Sequence, residues 1–490
     1  MLRAKPRAIG RCAIVAMLAL FAVAATAPVN AATLPFKRAV GQGLFLDVTD
    51  IHFDPFASLP ADPAKRRAAL DKLIATPVAR WQKFFQAAKD MPYPRRGHAD
   101  TSYPLFASML AAAKGLSGND GGRVRYDYVL NTGDNLAHGF RKKFLAAGGQ
   151  EAAYQGFVVK TLRYVDRMLR KRFGAPLIYA PGNNDAVCGD YKVAPHSAML
   201  AQIARDLPVL RRHPEARRDF AVGGFYVVPH PRVPKHDIIA LNSIFWSIKY
   251  QDDCNKSGGD PGPAELDWLA WTLYREKAAG RTATLAMHIP PGINAYTSSK
   301  QACPQTGTSF WRSDVTTRFR TLVDEYRSVL TASYAGHTHM DDFRVLPDQN
   351  GAPLLATRIT PAVSPIFGNN PAFAVMLYDR SNAFVRDSAI VYLTNLDTGG
   401  RKAPAKWQPE YDFARTYGVK SYTAASVAAL ARRIAGNASA AQSYMTFYPV
   451  KAPTPINAGN LKAYACAQTS PTPAAYAACR CPAGAPQPSK

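Results

Sequence analysis

Seven side chains that could bind metal ions recur in short polar clusters along the sequence. They are Asp50, His52, Asp134, Asn183, His288, His337 and His339. Carboxylate, amide and imidazole ligands of this kind suit a pair of divalent ions such as Zn, Mn or Fe, whereas structural zinc sites are commonly rich in cysteine. Two such ions, about 3.5–4 Å apart, can clamp a phosphoryl group and lower the pKa of a bridging water towards neutrality. The side chains therefore predict a two-metal site for the hydrolysis of a phosphate compound.

Each polar cluster follows a short apolar segment that is typical of a buried β-strand. The segments are residues 44–48, 126–130, 176–180, 284–287 and 329–334. Ligands of open α/β sheets bind at the carboxyl ends of the strands, so we expect these loops to meet at one edge of the protein. Gly133, Gly182 and Gly336 precede candidate ligands, and we expect them to permit the sharp turns that aim those ligands inwards.

Strands and helices alternate in the first part of the chain, a second group of strands follows, and helices are predicted from Trp407 onward. Predicted helices include residues 63–88, 151–173, 264–279, 314–327 and 423–434, and the later strands are predicted at 354–359, 373–378 and 390–394. Trp268 and Trp271, on one of these helices, are predicted core residues. The order favours one α/β catalytic domain at residues 40–400 and a helical, disulfide-linked region at 401–490.

The first 31 residues have the features of a secretory signal peptide. Basic residues precede an apolar run at 13–25, and small residues before Ala31 offer a cleavage site. The apolar run is too short to span a bilayer, and no later stretch is long and apolar enough to do so. We therefore expect an exported protein, secreted or periplasmic, without a transmembrane segment.

Export changes the interpretation of the cysteines. Without Cys12 of the signal peptide, the remaining cysteines are Cys188, Cys254, Cys303, Cys466, Cys479 and Cys481. An even number in an oxidising compartment favours disulfides, although the sequence leaves their pairing open. Cys479 and Cys481 are too close to pair well with each other, so both should reach elsewhere, with Cys466 a candidate partner for one. A zinc-binding cysteine cluster is the alternative, but the sequence has no C-x-x-C pair.

The formal net charge of +25 predicts an attraction to polyanions. Polyphosphate, anionic lipid, nucleic acid and cell-envelope polymers would all qualify, and a basic surface that serves only solubility is the alternative. We expect a phosphate-containing, anionic substrate and no stable complex with nucleic acid.

Five motifs carry a resemblance to a known family. They are D-x-H at Asp50, G-D-N-x-x-H at Gly133, G-N-N-D at Gly182, H-I-P-P-G at His288 and G-H-T-H at Gly336. In this order they resemble the calcineurin-like metallophosphoesterase superfamily. Within it the chain is similar to the acid sphingomyelinase-like phosphodiesterases, and residues 410–418 resemble the C-terminal region of the same group.

The resemblance implies a four-layer αββα sandwich, in which two mixed sheets are flanked by helices, with a helical C-terminal appendage. It also implies the ligands of each ion. One ion would be held by Asp50, His52, Asp134 and His339, and the other by Asp134, Asn183, His288 and His337. Asp134 would therefore bridge the two ions.

Asn184 departs from the family pattern, because most relatives have His after the metal-binding Asn. An amide can donate a hydrogen bond to a phosphoryl oxygen, but it cannot deliver a proton to the leaving group. His138 matches a second active-site His of the sphingomyelinase-like group and could take over this role. Alternatively, the substrate is a phosphoanhydride, as in the endopolyphosphatase branch, and needs little protonation.

Together these observations predict an exported, dimetal-dependent phosphoesterase that cleaves a phosphodiester or phosphoanhydride by attack of a metal-bridged hydroxide. A sphingomyelinase-like phosphodiesterase is favoured. An endopolyphosphatase-like phosphoanhydride hydrolase and a polyanion-binding protein with weakened catalysis are the alternatives. Arg344 is a candidate phosphate contact or, equally, part of a surface salt bridge.

Overall fold

The structure is a computed structural model that describes residues 32–252, 254, 259–303, 307–399 and 403–481. The predicted signal peptide at 1–31 lies outside the described residues. The strands are β1 (Gln42–Val48), β2 (Tyr128–Asn131), β3 (Leu177–Tyr179), β4 (Tyr226–Pro229), β5 (His236–Ala240), β6 (Thr282–Ala286), β7 (Leu330–Ala335), β8 (Asp342–Pro347), β9 (Pro353–Ile359), β10 (Ala372–Asp379), β11 (Val385–Leu393) and β12 (Trp407–Asp412).

The helices, in chain order, are mostly found between strands β1 and β7 and after β12. They are α1 (Pro63–Ala75), α2 (Trp81–Gln86), α3 (Tyr103–Gly115), α4 (Phe140–Ala146), α5 (Glu151–Phe173), α6 (Ala198–Asp206), α7 (Pro208–Arg211), α8 (Pro214–Gly223), α9 (Pro261–Ala278), α10 (Ala295–Ser299), α11 (Ser313–Glu325), α12 (Phe413–Tyr417), α13 (Ala424–Gly436), α14 (Ala438–Phe447), α15 (Leu461–Thr469) and α16 (Pro473–Arg480). Short 3-10 turns occupy Pro55–Ser58 and Val78–Arg80.

The strands form two mixed sheets of six strands each, in the orders β12-β11-β10-β1-β2-β3 and β4-β5-β6-β7-β9-β8. In the first sheet β1, β2 and β3 are parallel, and β10 to β12 run antiparallel. Phe45 of β1 meets Tyr334 of β7 edge to face at 5.4 Å, so the two sheets pack face to face. Helices cover their outer faces, which confirms the predicted sandwich of two mixed sheets flanked by helices.

Most predicted elements are present within a few residues of the predicted bounds, and Glu151–Phe173 matches them fully. The long helix predicted at 63–88 is instead divided into α1 and α2. Pro77 causes the division, because the residue before a proline is driven out of the helical region. Thr76 is accordingly extended, with ψ of 132°, and ends α1.

The prediction that the chain turns helical at Trp407 is wrong. Residues Trp407–Asp412 form β12, which pairs antiparallel with β11 at the end of the first sheet, and helices begin at Phe413. Pro409 is tolerated there because an edge strand needs fewer backbone donors. Trp407 is buried and stacks obliquely on Phe373 at 5.6 Å, so this strand adds apolar surface to the core.

Trp271 is exposed, with 58% of its surface accessible, which contradicts its predicted place in the core. The buried face of α9 is formed by Leu266, Leu269 and Leu273. Trp271 lies on the other side of the helix, where it stacks on Tyr274 at 5.6 Å. Trp268 is partly buried and donates its indole N–H to Asp219.

Three disulfides link Cys188 with Cys254, Cys303 with Cys481, and Cys466 with Cys479. The prediction that Cys479 and Cys481 pair with other cysteines, one of them with Cys466, is confirmed. The second and third disulfides tie the C-terminal helices to each other and to the segment after α10. Among the described residues, no helix has both the length and the hydropathy needed to cross a bilayer.

Glu265 is a buried carboxyl on α9, and its Oε1 accepts a hydrogen bond from the backbone N–H of Asn242 at 2.6 Å. Burial raises the pKa of Glu265 from 4.5 to about 8. A raised pKa means that the folded protein binds the proton more tightly than the unfolded chain does. The stability that Glu265 contributes is therefore fully present below pH 4.5 and is lost as the pH rises through 8.

The substitution Glu265→Gln removes this titration but keeps an acceptor for Asn242. We expect the free energy of unfolding of the variant, relative to wild type, to increase between pH 5 and 8 by up to about 1.4 kcal/mol per pH unit. Urea unfolding at several pH values in this range measures the difference. Glu215→Gln, at an exposed position in the first turn of α8, should show no such slope, and equal slopes for Glu265→Gln and wild type would contradict the expectation.

Candidate metal centre

The loops that follow β1, β2 and β3 of the first sheet and β6 and β7 of the second meet at one edge of the sandwich. In chain order they carry Asp50, His52, Asp134, Asn183, His288, His337 and His339. All are buried except His337, which is partly exposed. The structure thus brings the predicted ligands together, and their binding of metal stays a prediction.

One group of polar atoms surrounds Nε2 of His52. This nitrogen lies 3.1 Å from Nε2 of His339 and 3.6 Å from Oδ1 of Asp50. It lies 3.5 Å from Oδ2 of Asp134, and His339 Nε2 is 3.3 Å from Asp50 Oδ1. These are the residues that the family resemblance assigns to one ion.

A second group surrounds Nε2 of His288. This nitrogen lies 3.3 Å from Oδ2 of Asp134 and 3.0 Å from Oδ1 of Asn183. A ring nitrogen of His337 lies within 4.8 Å of ligand atoms of both Asp134 and His288. The same oxygen of Asp134 therefore faces both groups, as a carboxylate that bridges two ions would do.

Hydrogen bonds fix which ring nitrogens face these points. Nδ1 of His52 lies 2.8 Å from the carbonyl of Leu136, and Nδ1 of His288 lies 2.7 Å from the carbonyl of Thr132. A carbonyl only accepts, so each Nδ1 is the donor and each neutral ring presents a lone pair at Nε2. Those lone pairs face carboxylate oxygens, and Asp50 Oδ1 has no hydrogen-bond partner among the described residues. Acceptors that face acceptors are satisfied by a cation, so the donor set fits a metal ion in each group.

The electrostatics agree with this fit. Burial alone would lower the pKa of His52 and of His288, but the carboxylates of Asp50 and Asp134 raise both to about 9. Burial dominates at His337 and His339, whose pKa values fall to about 3. Without metal, protons on two of the rings would thus balance the buried carboxylates. Bound divalent ions would replace those protons.

The backbone is strained at the candidate ligands. Asp50, His52 and Asp134 have φ angles of 46°, 43° and 54°, and His337 and His339 have 71° and 64°. Non-glycine residues rarely adopt this left-handed conformation, which costs on the order of 1–3 kcal/mol and persists only where the surroundings enforce it. Such strain is concentrated at functional sites.

The glycines beside the ligands serve two different purposes. Gly133 has a φ of 96° and makes the turn that was expected of it. Gly182 and Gly336 have no positive φ, so the expected sharp turn is not their role. A Cβ on Gly336 would lie 2.5 Å from Oδ2 of Asp50, and these two glycines are therefore required for close approach between loops.

His138 lies beside the first group, with its ring stacked 4.0 Å from that of His52. Its Nδ1 donates to Oδ1 of Asp100 at 2.9 Å, and its backbone N–H donates to Oδ2 of the same carboxylate. Lys143 donates to Asp100 at 2.9 Å and to Asp54 at 2.8 Å. Burial opposes ionisation of Asp100, but the hydrogen bond from His138 and the charges of His52 and Lys143 hold its pKa below the ordinary value. Because Nδ1 is bound to Asp100, Nε2 is the ring nitrogen of His138 that could contact a substrate.

Asn184 contacts Asp134 twice. Its backbone N–H donates to Oδ1 at 2.7 Å and its side-chain Nδ2 donates to Oδ2 at 2.8 Å. The next residue, Asp185, accepts hydrogen bonds from the backbone N–H groups of Asn135 and Leu136, at 2.7 and 3.1 Å. The G-N-N-D loop thus fixes both the carboxylate and the backbone of the loop that carries Asp134.

An open cleft of about 500 Å³ leads to these groups and is lined by Asp134, His138, Asn183, Asn184, His337 and His339. Its walls carry aromatic and basic side chains, among them Tyr191, Lys249, Tyr296, Arg344 and Phe367. Arg344 is buried and pairs with Asp342 at 2.6 Å, so the alternative of a surface salt bridge is wrong about its location. Phe367 meets the rings of His339 and His138 at 4.5 and 5.2 Å.

Sequence reasoning missed Asp100, Lys143 and Asp190, which hold the site residues in place. Asp190 accepts from Nδ2 of Asn183 at 2.6 Å and so turns the amide oxygen of Asn183 towards His288. Asp185 was visible within the G-N-N-D motif, but the sequence gives no partner for it. Asp100 lies in a segment rich in proline and arginine with no ligand spacing, so nothing in the sequence distinguishes it.

The sequence matches known phosphodiesterases over most of its length. It is 25% identical over 421 residues to the human "acid sphingomyelinase-like phosphodiesterase 3b", covering 83% of each chain. It is 26% identical to a "sphingomyelinase phosphodiesterase D" of Dictyostelium discoideum, covering 67% of this chain and 68% of the relative. It is also 26% identical to the "cyclic GMP-AMP phosphodiesterase" of Mus musculus, covering 84% and 85%.

No protein-family model matches the chain. Among solved structures, a dimetal phosphatase from Danio rerio aligns with a TM-score of 0.35 at 10% identity, covering 71% of this chain and 95% of that one. The chain is a homologue of the acid sphingomyelinase-like phosphodiesterases, and the predicted resemblance to the calcineurin-like metallophosphoesterases is confirmed. These relatives are phosphodiesterases, which supports the prediction that the chain is a phosphoester hydrolase.

Metal content should respond differently to two substitutions. Asp134→Ala removes the oxygen that faces both groups, so we expect it to abolish binding of both ions. His339→Ala removes a ligand of one group, so about one ion per chain should remain. Inductively coupled plasma mass spectrometry on the purified variants, dialysed with Mn or Zn, measures the ratio. Asp267→Ala, an exposed acid on α9, should bind as wild type does, and two ions in Asp134→Ala would refute the shared ligand.

Proposed function

We propose that the chain is an exported phosphodiesterase with two divalent metal ions, of the sphingomyelinase-like kind. The observation that supports this most directly is the position of Asp134 Oδ2, 3.5 Å from His52 Nε2 and 3.3 Å from His288 Nε2. Asp50, His52, Asp134 and His339 would hold one ion, and Asp134, Asn183, His288 and His337 the other. When bound, such ions lower the pKa of water and neutralise phosphoryl oxygens.

His138 is the proposed proton donor to the leaving group. Asp100 accepts a hydrogen bond from Nδ1–H and thereby fixes the ring, so that Nε2 is the nitrogen left to face the cleft. A proton passed to the leaving oxygen would therefore come from Nε2, the ring nitrogen that Asp100 does not use. Lys143 keeps Asp100 ionised, since its ammonium group lies 2.9 Å away.

Asn184 is proposed to position Asp134 and to contact the substrate. One N–H of its side-chain amide is used by Asp134 Oδ2, which leaves the second for a phosphoryl oxygen. This differs from the family pattern, in which a His at this place assists the leaving group. His138 is then the only acid proposed for this chain.

Export is supported by the disulfides. Three pairs of cysteines lie at bonding distance, and such bonds persist in oxidising compartments outside the cytoplasm. We propose that the mature protein begins after Ala31 and acts in the periplasm or outside the cell.

A phosphoanhydride substrate, such as polyphosphate, is the second candidate. Asn184 favours it, because an anhydride leaving group needs little protonation. The net charge of +25 favours it as well, since it would attract a polyanion. The two candidates make opposite predictions for His138.

The direct test is hydrolysis of bis(4-nitrophenyl) phosphate by the mature chain with Mn or Zn, followed by release of 4-nitrophenolate. We expect turnover that a chelator abolishes and that added metal restores. Turnover that persists in chelator would contradict the metal-dependent mechanism. If this diester is not hydrolysed and polyphosphate releases phosphate in a chelator-sensitive way, the result would favour the phosphoanhydride hydrolase.

His138→Ala should lower kcat for a diester with a poor, alkyl leaving group by roughly 10²–10⁴-fold, the usual contribution of a general acid. The loss should be far smaller for a 4-nitrophenyl ester, whose leaving group needs little protonation. Asp100→Asn should show the same dependence on the leaving group but a smaller loss, because the ring remains. Equal losses on both substrates would show that His138 does not donate the proton.

A further inference from the structure

The five-residue helix α10 forms part of the cleft wall and carries Tyr296. The Tyr296 side chain is 52% exposed, although aromatic rings of this size are commonly covered. Asn294 caps the helix, since its Oδ1 accepts from the backbone N–H of Thr297 at 3.1 Å. An aromatic ring is thus presented to the cleft that leads to the metal-site residues.

One face of the Tyr296 ring is already occupied by a cation. Nζ of Lys300 lies 3.6 Å from the ring centroid, within the range of a cation–π contact. A second lysine, Lys249, stands over Tyr191 at 5.3 Å in the same cleft. These positive charges disfavour a quaternary ammonium group next to Tyr296, whereas the exposed part of its ring can stack on a planar group.

Arg480, near the end of the described chain, contacts the C-terminal end of this short helix. The guanidinium of Arg480 donates to the carbonyl oxygens of Ser298, at 2.7 Å, of Ser299, at 3.4 Å, and of Gln301. The carbonyl of Ser298 also accepts from the backbone N–H of Gln301 at 3.2 Å, so Arg480 adds a second donor there and binds the turn that follows α10. An isolated helix of this length is unstable in water and needs such support.

A covalent bond reinforces the same contact. Cys481, the residue after Arg480, forms a disulfide with Cys303, which lies close to the end of α10. The second disulfide, between Cys466 and Cys479, joins α15 to α16 and so fixes the segment that carries Arg480. We name Arg480 together with the Cys303–Cys481 disulfide the C-terminal clamp.

We propose that Tyr296 is a specificity-determining residue that stacks on a planar aromatic substituent of the phosphodiester, and that the C-terminal clamp holds it in position. This inference rests on the proposed phosphodiesterase function. With Tyr296 in this role, the protein would prefer diesters that carry a flat ring, such as a nucleobase, over diesters that carry a choline group. The metal-site residues act on the phosphoryl group that all these substrates share.

Three diesters with the same leaving group separate recognition from chemistry. They are the 4-nitrophenyl esters of thymidine 5′-phosphate, of methyl phosphate and of phosphocholine. Release of 4-nitrophenolate gives kcat and KM for each. We expect wild type to prefer the thymidine ester over the methyl ester and the methyl ester over the phosphocholine ester.

Tyr296→Ala should lower the ratio of kcat/KM for the thymidine ester to that for the methyl ester by about tenfold, the order expected for loss of one stacked base. The change should lie in KM, because the ring binds a part of the substrate that does not react. Tyr296→Phe retains the ring and should retain the ratio. Tyr274→Ala removes an exposed aromatic side chain on α9, which does not line the cleft, and should leave the ratio as in wild type.

The clamp is tested by Arg480→Ala and by the double variant Cys303→Ser/Cys481→Ser. Both should lower the same ratio through KM, by less than Tyr296→Ala does, because the ring remains but is less well held. Arg480→Lys keeps a donor for one carbonyl and should recover part of the ratio. A wild-type ratio in both clamp variants would overturn the positioning role.

The outcomes distinguish the inference from the function on which it rests. If wild type releases no 4-nitrophenolate from any of the three esters in a chelator-sensitive way, the proposed function fails. If it does, but Tyr296→Ala keeps the wild-type ratio or lowers all three rates equally, the specificity inference fails and the function stands. A preference of wild type for the phosphocholine ester would also overturn the inference.

Discussion

The carboxylate of Asp134 contacts candidate ligands that follow strands of both sheets. Asp134 follows β2 of the first sheet, and its Oδ2 lies 3.3 Å from Nε2 of His288, which follows β6 of the second. Both of its oxygens are held by N–H groups of Asn184. His52 follows a strand of the same sheet as Asp134, so the distance from this oxygen to His288 is the one that depends on how the two sheets pack. The core between the sheets, including the contact of Phe45 with Tyr334, therefore fixes the position of Asp134 Oδ2 relative to His288.

The strained backbone at the ligands is held by hydrogen bonds between loops. The backbone N–H of Asp50 donates to the carbonyl of Gly133, and that of His52 donates to the carbonyl of Asp134, each at 2.9 Å. The carbonyls of Asp50 and His339 accept from Ser364 and Ala362 in turn. Because each loop is fixed by its neighbours, left-handed φ angles persist at residues that would leave them in isolation. The ligand directions are thus a property of the assembled edge and not of any one motif.

This division explains what the sequence could predict. Ligand type and spacing are local, so the candidate ligands and the strands before them could be identified, and the structure brings those residues together. The contact of His138 with Asp100 could not be predicted from the sequence. Asp100 lies 38 residues away and becomes a neighbour of His138 only through the fold. Trp271 was misplaced because its apolar character alone favours the core, whereas the stripe of Leu266, Leu269 and Leu273 marks the buried face of α9. The strand Trp407–Asp412 was missed because its pairing with β11 supplies the preference that its own residues lack.

Part of the cleft wall comes from segments outside the five motifs, and this limits what the motifs can say about substrate. The five motifs end at His339, and the metal ions proposed there would act on a phosphoryl group that phosphodiesters and phosphoanhydrides have in common. The wall is contributed by α10, by Phe367 and by residues 448–455, and α10 is held by a segment at the end of the described chain. We expect substituents on the phosphorus of a bound substrate to contact this wall. Two chains with the same ligands can therefore cleave different substrates, and the choice between a nucleobase and a choline group depends on side chains such as Tyr296 and Lys300, whose charge and exposure no metal motif encodes.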